Sequence, residues 1–314
     1  IIILENEYQM KADRKSIKRN LENLKEYGYN IECSEKTRIN NRGEEEIITT
    51  DYYLDRDFTD SELRLLIDSV LFSKQIPYNQ RKDLIKKVEG LSNKYFSSKV
   101  KYISTLPEKY PQNKSLFYNI EILDEAISNK KQVSFKYNYF DTDKKMHPRL
   151  NDDNTPKDYI INPYQMVAAN GRYYLICNYD KYDNVSNFRI DRISDIKLLK
   201  TASKPQQNIK GLEEGLNLPK HMAEHIYMFS GESGRVSFCA KRYILNDIFD
   251  WFGSDIRFTD ETEDEVTVSV VVNFKAMHWW AMQYAPHIKL LSPESLVNSV
   301  AKDLSEAAKK YIKN

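Results

Sequence analysis

Apolar residues recur every three or four positions near the start of the chain. In ADRKSIKRNLENLKEYGY, the side chains of Ile17, Leu21 and Leu24 share one face of a predicted helix. Asp13 is suited to cap the N-terminus of this helix, and Gly28 suits the left-handed position that follows its C-terminus. The preceding run, IIILENEYQM, is typical of the end of another apolar helix, whose beginning we expect to be missing.

Two strand-like runs follow, YNIECS and EEEIITTDYYLD. The polar segment KTRINNRGE between them contains Asn41, Arg42 and Gly43, which are typical of a tight turn. Residues 1–56 therefore predict a winged helix-turn-helix domain with the order helix, helix, hairpin and an arginine at the tip of the hairpin.

The pattern then changes twice along the chain. Residues 57–130 keep helical spacing, begin with a capping box from Thr59 to Glu62, and predict a helical connector. Residues 131–202 alternate with period two in QVSFKYNYF, DYIINPYQMVAANGRYYLICNYD and NFRIDRISDIKLL. Several short strands with no helix between them favour a small Sm-like or SH3-like β-barrel or a strongly bent sheet.

The remaining chain predicts a polar linker with one short helix over residues 203–233 and a compact α+β domain over residues 234–314. The fold class is therefore multidomain α+β. The two adjacent tryptophans of MHWWAM point to different faces of one helix, and we expect at least one of them in a core or a dimer contact.

Charge and cysteine content limit the classes of protein to which the chain can belong. The 47 basic and 46 acidic side chains give a net charge of +1, so a nucleic-acid site must be a local patch. Cys33, Cys177 and Cys239 are far apart, which indicates a reducing, cytoplasmic compartment. No apolar run approaches the roughly 20 residues of a membrane helix, and no signal-peptide pattern is present.

The first predicted domain carries a local basic patch. The predicted helix that carries the apolar stripe is the second helix of this domain. If the stripe faces the core of the domain, the basic residues at the start of the same helix face solvent. A recognition helix of this type contacts bases with its N-terminal half, and Ser16 suits a phosphate oxygen. The predicted DNA contacts on helix and hairpin are Arg14, Lys15, Ser16, Lys18, Arg19, Arg38 and Arg42. A solvated helix face, or a winged helix that binds only protein, would give the same pattern.

The alternating segment carries a second candidate site. In FRIDRI, the period of a strand places Arg189 and Asp191 on one face, opposite Phe188 and Ile190. We expect one face of these strands to pack a core and the other to present charges and tyrosines. Arginines beside phenol rings can bind an anion through a bidentate guanidinium and a stacking plate. Alternatively, the charges form cross-strand ion pairs and the tyrosines are ordinary core aromatics.

The runs NPYQMVAANGRYYLICNYD and FRIDRI resemble the core of the WYL domain, named for a Trp-Tyr-Leu triplet. The triplet corresponds to Tyr173-Tyr174-Leu175, and the family's Arg-Leu-Asp-Arg is similar to Arg189-Ile190-Asp191-Arg192. VSFKY resembles the first strand of that domain, and ADRKSIKRNLENLKEYGY resembles the recognition helix of WYL regulators. DIFDWFGSDI and LLSPESLVNSV are similar to their C-terminal extension, the WCX-type domain.

This resemblance implies a bacterial, homodimeric transcription factor whose WYL barrel senses nucleotides or short single-stranded nucleic acid. Some members of the family control DNA-damage or phage-defence genes. The residues carried over as effector contacts are Tyr137, Tyr173, Tyr174, Arg189 and Arg192, with Asp191 orienting an arginine. Tyr173 departs from the family's usual tryptophan, so the identity of the ligand cannot be carried over.

The sequence therefore predicts a ligand-responsive DNA-binding regulator, with repression favoured over activation. Its partners would be a double-stranded operator, an anionic effector and a second copy of the chain, with no membrane partner and no cofactor. The alternative is a nucleic-acid or nucleotide-binding module that does not regulate transcription. HMAEH matches the zinc-protease motif H-x-x-E-H, but no third ligand follows. We expect neither a metal nor an enzymatic activity.

Overall fold

The computed structural model describes residues 5–7, 9–40, 42–73, 76–92 and 115–311. The chain divides into two compact units. The first comprises Ile1–Leu71 and Lys82–Leu106, and the second comprises Phe72–Arg81 and Pro107–Asn314. The described helices and strands give the mixed α+β class that the sequence predicts, with several antiparallel sheets.

The first unit begins with a well-capped helix. Its described elements are α1 (Arg14–Glu26), β1 (Ile31–Ile39), β2 (Glu45–Leu54), α2 (Asp60–Phe72) and most of α3 (Tyr78–Glu89). The Asp13 carboxylate accepts a hydrogen bond of 2.8 Å from the Ser16 amide, which confirms the predicted N-cap. At the other end, Gly28 adopts a φ of +93°, and its amide donates to the Lys25 carbonyl. This left-handed residue ends α1 as predicted.

Strands β1 and β2 form the predicted hairpin, although the turn is shorter than expected. β1 continues through Arg38 to Ile39, whose partner is Glu45. The Asn40 side chain then accepts hydrogen bonds from the amides of Arg42 and Glu44. This local bonding by an asparagine closes a tight turn with Arg42 in it.

The capping box at α2 is also confirmed, since the Glu62 carboxylate accepts from the Thr59 amide at 2.8 Å. A small core of Leu63, Ile67 and Leu71 lies on this helix and packs against α3. Residues of α1, by contrast, are never fully buried, and Leu24 keeps 41% of its surface exposed. The first helix of the predicted winged domain falls on residues 1–10, of which 1–4 and 8 lie outside the described residues.

The alternating segment forms a six-stranded antiparallel sheet. Its elements are α4 (Leu116–Ser128), β3 (Lys131–Phe140), β4 (Met146–Pro148), β5 (Asp158–Ala169), β6 (Arg172–Tyr179), β7 (Val185–Arg189) and β8 (Ile193–Ala202). The strand order is β4-β3-β5-β6-β7, and β8 also pairs with β3. Among the described residues no pairing joins β7 to β8, so the predicted closed barrel is wrong and the sheet is open. A short 3-10 turn, Ile190–Arg192, separates these two strands.

Both faces of this sheet are covered. Buried residues of α4, which the sequence assigned to the connector, pack with Phe135 and Leu175 on one face. On the other face, the predicted linker contributes helix α5 (Leu218–Glu224) and Met228, which pack on Tyr174 and Ile176. The expected exposed face of β6 is therefore wrong, because a segment about 50 residues later folds back onto it.

The C-terminal domain has a split βαβ arrangement. Its elements are β9 (Ser233–Lys241), α6 (Leu245–Phe252), β10 (Arg257–Thr259), β11 (Glu265–Asn273), α7 (Phe274–Tyr284), β12 (Ile288–Ser292) and α8 (Glu294–Lys309). The sheet order β10-β11-β9-β12 is that of a ferredoxin-like domain. Its core surrounds Trp280, which is fully buried, whereas Trp279 is 58% exposed. The expectation that at least one of the two tryptophans packs in a core is confirmed.

The two histidines of HMAEH are buried against the second face of the sheet. Their rings stack at 4.0 Å, and the His221 Nε2 lies 3.2 Å from the Asn187 Oδ1, which can only accept. Burial lowers the pKa of His221 to about 3, and the neighbouring His225 contributes to this shift. No group of three or more possible metal ligands occurs in the described part of the chain.

The buried His221 predicts a loss of stability in acid. The unfolded chain takes up a proton below about pH 6.5, whereas the folded protein does so only near pH 3, so stability falls as the pH drops through this window. The expected loss is up to about 1.4 kcal/mol per pH unit. Urea denaturation at about pH 7.5 and about pH 5 measures it. The His221→Gln variant should show a weaker pH dependence, and an unchanged one would contradict this assignment.

Candidate effector site and candidate nucleic-acid interface

Arg189 and Asp191 form an ion pair at the end of β7. The 3-10 turn after Arg189 brings Asp191 back beside it, so the carboxylate accepts from Nε at 3.0 Å and from Nη2 at 2.6 Å. Both side chains are largely buried, with 17% and 15% of their surfaces exposed. The pair lies within one segment, and not across two strands as the alternative interpretation has it. FRIDRI is not one continuous strand, because β7 ends at Arg189. Asp191 fixes the orientation of the Arg189 guanidinium.

The second arginine of this segment lacks such a partner. The Nε of Arg192 is buried and makes no hydrogen bond to any described residue. Nor does any described carboxylate lie within ion-pair distance of its guanidinium. Its backbone is well held, because the carbonyl accepts from the Asn138 side chain at 2.9 Å. Buried donors almost always have a partner, and because this Nε is closed to solvent, an acceptor from outside the chain would have to reach the terminal nitrogens of the guanidinium.

Two tyrosine hydroxyls lie within the electrostatic reach of both arginines. The Tyr137 hydroxyl accepts from the Arg189 amide at 3.2 Å, and Tyr174 lies opposite Arg189 in the sheet. Burial raises the pKa of both tyrosines, while the nearby positive charges of Arg189 and Arg192 act in the opposite direction. Both phenols therefore stay protonated near neutral pH and can donate hydrogen bonds.

The predicted effector residues differ in their accessibility. Tyr174 is only 8% exposed, and Tyr173 is partly buried against the core that contains Leu175. Arg189 and Arg192 keep part of their surfaces accessible. The structure therefore places Tyr137, Tyr174, Arg189, Asp191 and Arg192 close together, with Tyr173 on the opposite face of its strand. A ligand at this location would contact the arginines before the tyrosines of the triplet.

Sequence reasoning missed two cations beside the aromatic residues. The Arg149 guanidinium lies 6.0 Å from the centre of the Tyr137 ring. The Lys157 ammonium lies 5.2 Å from the centre of the Tyr159 ring and 5.8 Å from that of Tyr179. Both cations come from the polar segment around β4, which the sequence identifies only as turn material. Together with Arg192, they add positive charge around a group of tyrosine rings.

The candidate nucleic-acid interface is in the first unit. Arg14, Lys15, Lys18 and Arg19 are exposed on α1, and its first turn contains no acidic residue. Ser16 is partly covered, and its amide is bound by Asp13. On the hairpin, Arg38 lies opposite Glu46, while Arg42 is exposed in the turn. The start of α1 therefore presents a cluster of exposed cations, whereas the arginines of the hairpin lie beside acidic residues.

Comparison with known proteins identifies the domain that contains the arginine pair. The family model of the WYL domain matches residues 118–198, which extend from α4 into β8. The chain contains a WYL domain. No curated protein matches the chain. None of the described helices has the length and apolar character needed to cross a membrane.

Two solved structures are similar to much of the chain at low identity. Proteasome accessory factor B/C (PafBC) of Arthrobacter aurescens is 13% identical, with a TM-score of 0.31. The match covers 85% of this chain and 39% of the PafBC chain. A CRISPR Cas-related protein is 15% identical with a TM-score of 0.40, over 82% of this chain and 75% of that chain.

The WYL domain explains why the residues of the triplet are buried. Tyr173 and Leu175 pack towards α4, and Tyr174 packs under the segment that contains α5 and Met228. The triplet therefore holds the centre of the WYL sheet between two layers. Arg189 and Arg192 lie at the turn after β7, outside these two packed layers, and each keeps part of its surface accessible.

Proposed function

We propose that the protein is a ligand-responsive, DNA-binding transcription regulator. The WYL domain would bind an anionic effector, a nucleotide or a short single-stranded nucleic acid, and the first unit would bind a double-stranded operator. The protein would act as a homodimer, so that two copies of α1 contact the two halves of an inverted repeat. We favour repression as the basal activity.

The observation that carries this proposal is the position of Arg192 beside the Arg189–Asp191 pair, with no described carboxylate within ion-pair distance of its guanidinium. Asp191 neutralises one of the two arginines, so the local charge leaves one cation for an incoming anion. A phosphate can take two parallel hydrogen bonds from a guanidinium. The Tyr137 ring and its neighbours add flat aromatic surface, which suits a base attached to that phosphate.

The candidate site is connected to two other parts of its unit by hydrogen bonds. The buried Asn119 of α4 donates to the Ile193 carbonyl at 2.8 Å, directly after Arg192. Two residues before Arg189, the backbone N–H of Asn187 donates to the Ser230 hydroxyl. The side-chain Oδ1 of Asn187 is hydrogen-bonded to the His221 ring. A ligand that moves the turn at Ile190–Arg192 would therefore act on α4 and on the segment leading to β9. A population shift would follow if the effector binds more tightly to one arrangement of these hydrogen bonds than to another.

The proposal predicts that Arg192→Ala weakens effector binding without unfolding the domain. Loss of a charged hydrogen bond is expected to cost about 1.5–3 kcal/mol, which is roughly a tenfold to hundredfold rise in Kd. Fluorescence anisotropy with a labelled short single-stranded DNA, and calorimetry with a mononucleotide, measure this change. Lys197→Ala is the matched control, because it removes one exposed cation from β8 of the same sheet.

The complete function is tested by genome-wide DNA footprinting, which would yield both the operator and the regulated genes. Regulation is supported if purified protein binds a recovered site and an anionic probe changes that affinity in wild type but not in Arg192→Ala. If the probe binds but no duplex site is recovered, the protein is a nucleic-acid-binding module instead. An Arg192→Ala variant that binds the probe like wild type would exclude this arginine as the effector contact.

A further inference from the structure

A groove in the C-terminal domain lies outside both candidate sites. It runs between α7 and α8 and encloses about 590 Å³, a volume typical of small-molecule sites. Its apolar lining includes Phe274, Trp279 and Met282. We call this region the α7–α8 groove.

Trp279 is the unusual residue of this groove. Its neighbour Trp280 is completely buried, yet Trp279 leaves 58% of its surface in solvent. Internal packing therefore does not account for an indole at this position. An exposed tryptophan that lines a groove offers an aromatic plate on which a flat ring can stack.

The floor of the groove is formed by another aromatic side chain. The Phe274 ring lies so close to Gly234 of β9 that a Cβ atom at position 234 would fall 2.4 Å from the ring. The absence of a side chain at Gly234 therefore leaves the space that the Phe274 ring occupies beside β9. Any larger residue at position 234 would push the ring towards the space that a ligand would use.

Most polar groups of the groove are already paired with each other. His278 Nε2 lies 2.9 Å from the Asp303 carboxylate, and Nδ1 lies 3.3 Å from the Ser299 hydroxyl. Because the carboxylate only accepts, Nε2 carries the proton and Nδ1 can accept from Ser299. Asp303 is thus engaged by His278.

Lys275 is the cation that remains. Its ammonium lies 5.2 Å from the centre of the Phe229 ring, and no carboxylate among the described residues lies within ion-pair distance of it. An ammonium held against an aromatic face keeps its charge available for an anion on its other side. The groove therefore combines an aromatic plate, apolar lining, one cation at its edge and the Asp303 carboxylate, which is hydrogen-bonded to His278.

We propose that the α7–α8 groove binds an aromatic carboxylate, with the ring stacked on Trp279 and the carboxylate bound by Lys275. This would be a second ligand site, independent of the anion site at Arg189 and Arg192. The ligand is a small flat molecule, because the enclosed volume matches a small ligand and the cation stands alone.

Isothermal titration calorimetry with 2-naphthoate tests this proposal. Saturable binding to the full-length protein is expected, and 2-naphthylmethanol, which has the same ring without the charge, should bind about tenfold more weakly. Lys275→Ala should weaken naphthoate to the level of the alcohol and leave the alcohol unchanged. Trp279→Ala should abolish binding of both probes, and this exposed position allows the substitution without loss of the core.

Lys289→Ala is the matched control, because Lys289 is an exposed lysine on β12 that does not line the groove. It should bind naphthoate like wild type. The proposal is overturned if wild type shows no saturable binding, if Trp279→Ala binds as tightly as wild type, or if Lys275→Ala and Lys289→Ala weaken naphthoate equally.

Discussion

Replacing Lys15, Lys18 and Arg19 together by alanine is expected to lower operator affinity on the order of a hundredfold or more at moderate salt. These three side chains are exposed in the first two turns of α1, and the first turn of this helix contains no acidic residue. Each lost phosphate contact also removes about 0.9 from the slope of log affinity against log salt. Fluorescence anisotropy on a footprinted operator over a salt series measures both effects.

The control for this experiment is a second triple variant in the same unit. Lys82, Lys86 and Lys87 are exposed on α3, and their replacement by alanine removes the same total charge. No residue of α1 is buried, so both variants should unfold at the wild-type urea concentration. If the two variants lose affinity equally, the effect comes from net charge and α1 is not the recognition helix.

Trp280→Ala is expected to destabilise the C-terminal domain by about 3–5 kcal/mol. Trp280 is completely buried and its ring contacts those of Phe238, Phe252 and Tyr284 at 4.6–5.3 Å between centroids. A truncation would leave a cavity that these rings cannot fill without moving. Urea denaturation followed by circular dichroism measures the loss.

Two further variants separate packing from other effects of this substitution. The indole N–H of Trp280 is buried without a hydrogen-bond partner among the described residues, so Trp280→Phe should cost clearly less than alanine. Trp279→Ala removes a mostly exposed indole and should leave stability close to wild type. Equal destabilisation by alanine at positions 279 and 280 would show that the two tryptophans share one core.

Local chemistry made several features predictable from the sequence. Asp13, Gly28 and the Thr59–Glu62 box act through hydrogen bonds and backbone angles within a few residues, so their roles follow from the residues themselves. The fold class follows from the change of apolar period along the chain.

Long-range packing could not be predicted in the same way. The alternation in β6 predicts one covered face, yet α5 and Met228 cover the other, and nothing in β6 indicates that segment. The 3-10 turn after Arg189 was also missed, since Ile190 keeps the apolar period of a strand. The positions of Arg149 and Lys157 depend on how the polar segment folds against Tyr137 and Tyr159. Only the tertiary structure determines these contacts.

The open side of the WYL sheet has a mechanical consequence. Since the described residues show no ladder between β7 and β8, the two strands can separate or approach without breaking main-chain pairing. Such a movement would still disturb the core, because Ile190 and Ile193 are completely buried and the Asn119 side chain holds the Ile193 carbonyl. The arginines at this turn are therefore positioned by core packing and side-chain hydrogen bonds, and not by main-chain pairing between β7 and β8.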